Sequence, residues 1–290
     1  MSRTLAFSLT LLAMIAFAGN SLLCRLALKS TGIDAASFTL IRIVSGALAL
    51  WLIARLRGET RGAAGSWASA FALFAYAACF SYAYISLPAA TGALLLFGAV
   101  QVTMIGYALW TGELLGLRQS AGLTCASAGL VFLMLPGLVS PDTIAPPLLS
   151  SVLMLSAGVA WGVYSLRGKG VADPTGATMG NFLRAVPLAA ALSATAFPWI
   201  SLDRDGVCYA ITSGALTSGI GYAIWYTALR GLKATSAAAV QLSVPVFAAI
   251  GGIVFLGEAI SFRLMVASTA ILGGIALVIV ERYAIRRRDH

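Results

Sequence analysis

Ten apolar runs of about 20 residues each follow one another along this chain of 290 residues. They span roughly 5–28, 36–55, 66–86, 89–111, 118–139, 148–168, 177–199, 206–230, 234–256 and 263–283. Wound as a helix, a run of that length crosses a hydrocarbon layer about 30 Å thick. The apolarity is continuous and lacks the alternation of a barrel strand, so helices are expected. The connections leave no room for a soluble domain. Composition agrees: 60% of the residues are hydrophobic and 10% charged, where a soluble domain has about a quarter charged.

The runs fall into two similar halves. Gly112-Glu113, Arg118 and Gly129 recur as Gly257-Glu258, Arg263 and Gly274, each 145 residues later. The stretch Ser81–Leu87 faces Tyr226–Leu232 at the same offset. Five spans per half would turn the second copy upside down, giving an inverted repeat about an axis in the membrane plane. The expected division is a first repeat over 1–139, an external linker over 140–147 and a second repeat over 148–290.

The net charge of +9 is explained by topology rather than by nucleic acid. With a cytoplasmic N-terminus, thirteen basic residues fall on the inner side: Arg3, Arg55, Arg57, Arg61, Arg118, Arg167, Lys169, Arg230, Lys233, Arg282, Arg286, Arg287 and Arg288. Four fall outside: Arg25, Lys29, Arg204 and Arg263. That asymmetry obeys the positive-inside rule and places both termini in the cytoplasm. Ala16-Phe17-Ala18 has the form of a signal-peptidase site, but it resembles Ala160-Trp161-Gly162 in the second half, so the segment is read as a retained helix. The four cysteines lack metal-ligand spacing, and the one histidine is the last residue.

Three elements carry a family resemblance. Phe38-x3-Arg42-x3-Gly46, Gln241-Leu242-Ser243-Val244-Pro245-Val246-Phe247 and the twice-used Gly-Glu-x4-Arg resemble the ten-helix drug/metabolite transporter superfamily of the EamA-repeat type. Within it the chain is most similar to the YddG-type exporters of aromatic amino acids. The resemblance implies a ten-helix, inner-membrane exporter working by alternating access. Pro245 is matched by Val100 in the first half. If the family's proline bends a gate, the two gates of this chain are inequivalent.

Candidate substrate contacts are the polar and aromatic residues near the span centres. They are Phe17 and Asn20 in the first span, Tyr76, Phe80 and Tyr82 in the third, and Phe97 and Gln101 in the fourth. The second half adds Trp161, Tyr164, Tyr222, Tyr226, Gln241 and Pro245. Amides can bond both ends of a zwitterion, aromatic faces stack on rings or attract cations, and Pro245 frees the carbonyl of Gln241 from its helical partner. Tyr84 and Trp199 are expected in the interfacial belt.

Other residues are expected to act in gating or structure. Arg42 and Arg184 lie inside spans and must face the bundle; carbonyl or polar partners are the plainer reading, a substrate carboxylate the alternative. Glu113 with Arg118, and Glu258 with Arg263, would staple turns at helix ends. Gly251 and Gly252, six and seven residues past Pro245, form a candidate hinge. No Asp, Glu or Lys lies near a span centre, which disfavours proton-coupled cation export and phosphate-bearing substrates.

The sequence therefore predicts an all-α polytopic membrane transporter of small neutral amphipathic metabolites, aromatic and other neutral amino acids foremost, moving them downhill. It is read as a monomer without cofactor or metal. Export of other metabolites or drugs, by exchange or proton coupling, is the rival reading. An intramembrane enzyme is disfavoured because no embedded histidine, metal set or aspartate pair is present.

Overall fold

Lipid offers no hydrogen-bond partners, so an apolar chain must satisfy its backbone within its own segments. The computed structural model describes residues 3–57, 64–110, 116–134, 146–168, 171, 173–229, 241 and 243–286. Among these it is helical, with no strand. The first half contributes α1 (Arg3–Ser30), α2 (Ala35–Leu56), α3 (Trp67–Tyr84), α4 (Ala89–Trp110) and α5 (Leu117–Met134). The second opens with α6 (Leu148–Gly168) and α7 (Pro174–Thr195). Next, α8 (Arg204–Thr212) runs through a π-helical stretch, Ser213–Ile220, into α9 (Gly221–Leu229). Finally come α10 (Ser243–Leu256) and α11 (Phe262–Arg286).

Five helical stretches among the described residues are long and apolar enough to cross a membrane: Phe7–Ser30, Ala35–Leu56, Ala89–Tyr107, Leu148–Gly168 and Arg204–Trp225. Ser243–Leu256 and Phe262–Gly274 are shorter apolar helices. Phe71, Val254 and Phe255 point outward, each more than half exposed. In water such a surface would drive aggregation; a bilayer covers it.

Helix starts are fixed by caps the sequence spells out. Asp34 accepts from Ser37 N at 2.9 Å, Ser66 from Ser69 N at 3.2 Å, Asp173 from Gly176 N at 2.9 Å and Asp203 from Gly206 N at 3.3 Å. Each satisfies one backbone donor left free by helix geometry. Gly257 ends α10 at φ +62°, a conformation that costs glycine least. Asp34 also joins two turns, since its second oxygen accepts from Ser201 N at 3.0 Å. Partial burial pushes its carboxyl up, but hydrogen bonds from the Ser37 side chain and from the N–H groups of Ser37 and Ser201 outweigh burial and hold it below its ordinary value.

The helix pairings exchange between halves. α3 packs on α6, while α9 and the π stretch pack on α1; α4 packs on α6, while α10 packs on α1. α2 packs on α7 and α5 on α11. The α5–α11 contact is reciprocal in detail. A Cβ on Gly129 would meet Ala270 and Ile271, and one on Gly274 would meet Gly122 and Ala126. Cys125 Sγ donates to Ala270 O at 3.6 Å across the same seam. Residues 125 and 270, 126 and 271, and 129 and 274 are each 145 apart, so the Gly129–Ile271 contact maps onto Gly274–Ala126 and the Cys125–Ala270 pair maps onto itself when the halves are exchanged. Small residues allow this close approach.

Candidate functional site

An aromatic cluster occupies the middle of the bundle. Phe17 of α1 meets Trp161 of α6 edge-on at 6.1 Å between ring centroids, Tyr222 of α9 at 5.9 Å and Trp225 at 5.8 Å. Trp161 lies 4.9 Å from both Tyr76 of α3 and Tyr222. Tyr76 continues to Phe80 at 5.3 Å. All six side chains are buried. Edge-on and tilted rings of this kind attract one another beyond simple burial.

Within the cluster is a cavity of about 10 Å³, room for about one water molecule. Of the residues expected at the site, Phe17, Asn20, Tyr76, Phe80, Phe97, Trp161 and Tyr222 line it. Ser21 and Leu96 complete the wall. Gln101, Gln241 and Pro245 are buried but do not line it, and Tyr82 is half-buried elsewhere on α3. Tyr226 is helical, and its side chain lies outside the described residues. The wall is thus built from α1, α3, α4, α6 and α9.

A polar network backs one wall. Asn20 Nδ2 donates to the Tyr76 hydroxyl at 3.1 Å. Its Oδ1 accepts from Ser213 at 2.7 Å and Thr217 at 3.2 Å. Arg42 Nη2 donates to the Tyr76 hydroxyl at 3.0 Å and Nε to Ser218 Oγ at 3.2 Å. Ser213, Thr217 and Ser218 all sit on the π-helical stretch. The wider turn there brings all three toward α1 and α2. The sequence reading overlooked these residues and Trp225. The available signal was a Ser/Thr cluster, Ser213, Thr217 and Ser218, inside an apolar span.

A larger cavity, about 230 Å³, opens at the end of the bundle where α3 and α7 begin and α6 ends. Its walls include Gly65, Ser69, Tyr164, Thr178 and Asn181. Tyr164 lies 5.6 Å from Trp161, so that ring pair stands between the two cavities. Arg184 Nη1 donates at this rim to Ala64 O at 3.2 Å and Gly180 O at 2.9 Å.

A clasp of buried charges crosses the other end. Arg25 Nε lies 3.3 Å from Glu258 Oε1. Arg25 Nη1 donates to Tyr84 O at 2.9 Å and Ile85 O at 2.8 Å. Glu258 Oε2 accepts from Ala89 N at 2.8 Å. The group ties α1, the α3–α4 turn and the α10–α11 turn together. From Ser69 to Tyr84, α3 separates the open end from this clasp by about 22 Å.

Two expectations are corrected here. Glu258 pairs with Arg25 rather than Arg263, whose Nε and Nη2 donate to Phe132 O at 3.2 and 2.9 Å. Tyr84 is fully buried rather than interfacial, its hydroxyl donating to Ala89 O at 3.3 Å. Trp199 is exposed, as a belt residue would be. Glu113 lies outside the described residues, and Arg118 is exposed. Gly251 and Gly252 are buried, packed against Leu22 of α1 and the Glu258 carboxylate.

A polar–aromatic chamber beside an open vestibule, among apolar helices long enough to cross a bilayer, fits a multi-pass membrane transporter of small molecules. Residues 148–280 match the EamA-like transporter family. Uncharacterized protein PA1977 of Pseudomonas aeruginosa is 53% identical over 282 residues, covering 97% of this chain and 96% of its own length. The chain belongs to the EamA-like transporter family. A crystal structure described simply as that of a protein shares the fold at a TM-score of 0.66, over 96% of this chain and 98% of that one. At 18% identity that likeness concerns fold alone.

Proposed function

We propose that this protein carries small amphipathic metabolites, aromatic and other neutral amino acids foremost, out of the cell across the inner membrane by alternating access. Ten helices would form two inverted five-helix repeats with both termini cytoplasmic; the exchangeable helix pairings support this. The observation that carries the reading is the asymmetry of the two ends. The Arg25–Glu258 clasp closes one end, the 230 Å³ vestibule opens the other, and the aromatic chamber lies between them. Under the positive-inside orientation the vestibule faces the cytoplasm, so the state is inward-open. Transport then requires the clasp to part as the halves rock.

The test is counterflow in proteoliposomes loaded with unlabelled phenylalanine. Labelled phenylalanine should accumulate transiently and saturably, and other aromatic amino acids should compete. A linear, non-competed flux would indicate a channel, and no flux of any aromatic amino acid would remove the substrate assignment.

A further inference from the structure

Arg42 carries a charge without a counter-ion among the described residues. It lies within α2 and is 2% exposed. Its two hydrogen-bond acceptors, Ser218 Oγ and the Tyr76 hydroxyl, are neutral. Its Nη1 has no hydrogen-bond partner among the described residues. The ion pair among the described residues joins Arg25 to Glu258, so no carboxylate there reaches Arg42. The other embedded arginines differ: Arg25, Arg184 and Arg263 all give donors to backbone carbonyls. A buried guanidinium is normally paired and fully bonded. One that keeps a donor open beside a substrate chamber is suited to an anion that comes and goes.

The chamber wall holds a second open group. The Tyr222 hydroxyl is buried beside Tyr76 and makes no hydrogen bond of ordinary length among the described residues, and Tyr222 lines the cavity. A carboxylate has two acceptor oxygens and would satisfy both donors. Around them are the rings that would receive an aromatic body, Phe17 and Trp161. Tyr76 and Phe80 also line the cavity, and their ring centroids lie 5.1 and 4.9 Å from Arg42 Cζ. They are the side chains that stand between the guanidinium and the chamber.

We propose that Arg42 is the specificity-determining residue of this chamber, binding the carboxylate of an aromatic amino acid or aromatic monocarboxylate, with Tyr222 on the second oxygen. This rests on the transport reading above and deepens it. Displacement of Tyr76 and Phe80 as the chamber widens exposes Nη1 to the substrate. The same charge repels amines that lack a carboxylate.

The experiment compares four probes as competitors of phenylalanine counterflow and as thermal stabilisers of the detergent-purified protein. They are phenylalanine, 3-phenylpropionate, phenylalaninamide and phenethylamine. Wild type should take the two carboxylates within about tenfold of each other and the other two at least about 30-fold more weakly, the lower end expected when one partner of a buried charged contact is missing. Arg42→Lys should keep the preference at reduced affinity. Arg42→Gln, if folded, should weaken the carboxylates by a similar factor and leave phenylalaninamide unchanged. Because the wild-type comparison needs no mutant, a misfolded Arg42→Gln leaves the proposal decidable. Phenylalaninamide competing as well as phenylalanine in wild type would overturn this inference and leave the transport reading standing. Failure of all four probes to compete or stabilise would remove both.

Discussion

Arg25 and Glu258 are 233 residues apart in sequence and meet at 3.3 Å, on the helix that opens the first half and the turn that follows α10. Both side chains are about nine-tenths buried. The arginine also closes the C-terminal end of α3 by binding the carbonyls of Tyr84 and Ile85, where a cation is favoured by the helix dipole. The carboxylate receives the first backbone N–H of α4. One contact therefore ties three elements of the first half to the second.

Breaking that contact should both destabilise and open the protein. Glu258→Ala leaves Arg25 without its counter-charge, a loss of about 3 kcal/mol for a buried pair. A cysteine placed at Ser21, which is 1% exposed and lines the chamber, should react faster with an external impermeant reagent in Glu258→Ala than in the parent, both lacking the native cysteines. The double exchange Arg25→Glu with Glu258→Arg should restore part of the stability. Unchanged reactivity at Ser21 would mean that the contact is a brace and that the closed end is held by other contacts.

The reciprocal seam between α5 and α11 makes a paired prediction. Gly129→Val and Gly274→Val should each cost roughly 1–3 kcal/mol through overpacking, seen as a lower melting temperature by fluorescence-detected gel filtration. Because the two contacts are mates, the losses should be similar. A large loss at one glycine with none at the other would show that the seam is not two-fold in its energetics.

Orientation is tested on exposed positions, after replacement of the four native cysteines. Asp205→Cys should label from outside intact cells, and Arg57→Cys only after permeabilisation. Both side chains are exposed in the fold. The opposite pattern would reverse the topology and make the vestibule external.

Asp34 provides a pH prediction. Its folded carboxyl titrates below the ordinary value because Ser37 and Ser201 donate to the ionised form. A depressed carboxylate contributes stability that is present above its unfolded pKa, about 3.9, and is lost as pH falls through the folded value. Thermal stability should therefore decline below about pH 4. Asp34→Asn should be less stable than the parent at pH 7 and should flatten the decline. An identical acid limb in the variant would place the titration on another group.

Much of this molecule was legible before any coordinates. Continuous apolarity dictated helices, since lipid permits little else. Asp34, Asp173 and Asp203 stand just before apolar runs and cap three helix starts, a role not assigned to them from the sequence. Phe17, Asn20, Tyr76, Phe80, Phe97, Trp161 and Tyr222 were recognisable because polar and aromatic groups deep in a span need a reason to be there. The errors came from partner choice. Glu258 and Arg263 are close in sequence and suggested a local staple, but a turn and a helix end present their side chains to different neighbours. Ser213, Thr217 and Ser218 were missed because their common direction depends on a π-helical turn, which ordinary helical spacing does not anticipate. Tyr84 looked interfacial from its place at a span end, and packing over Gly92 buries it.

Trp161 separates the roles of chamber and scaffold. It touches Phe17, Tyr76, Tyr164 and Tyr222. Trp161→Ala would leave a large void, so Trp161→Phe is the better variant. It should lower transport by about tenfold, a shift of about 1.4 kcal/mol, with melting temperature near that of the parent. Gln241→Ala, outside the cavity wall, should have the smaller effect on transport. Equal effects would enlarge the site toward α10.

The last prediction concerns energy coupling. Proton-driven export needs a group that binds proton and substrate in turn, reachable from each side. The chamber's polar wall consists of an amide, hydroxyls and a guanidinium, with no carboxylate among the described lining residues. Glu258 is engaged by Arg25 and Ala89 at the closed end, away from the substrate rings. Asp34, Asp173 and Asp203 hold helix starts. Transport should therefore follow the substrate's own gradient. In proteoliposomes, a pH difference of one unit, worth about 1.4 kcal/mol per proton, should not concentrate phenylalanine above equilibrium. Accumulation that depends on the pH gradient and disappears in Glu258→Gln would make the clasp itself the proton site. Opening of the closed end would then be coupled to protonation, and the carrier would be an antiporter.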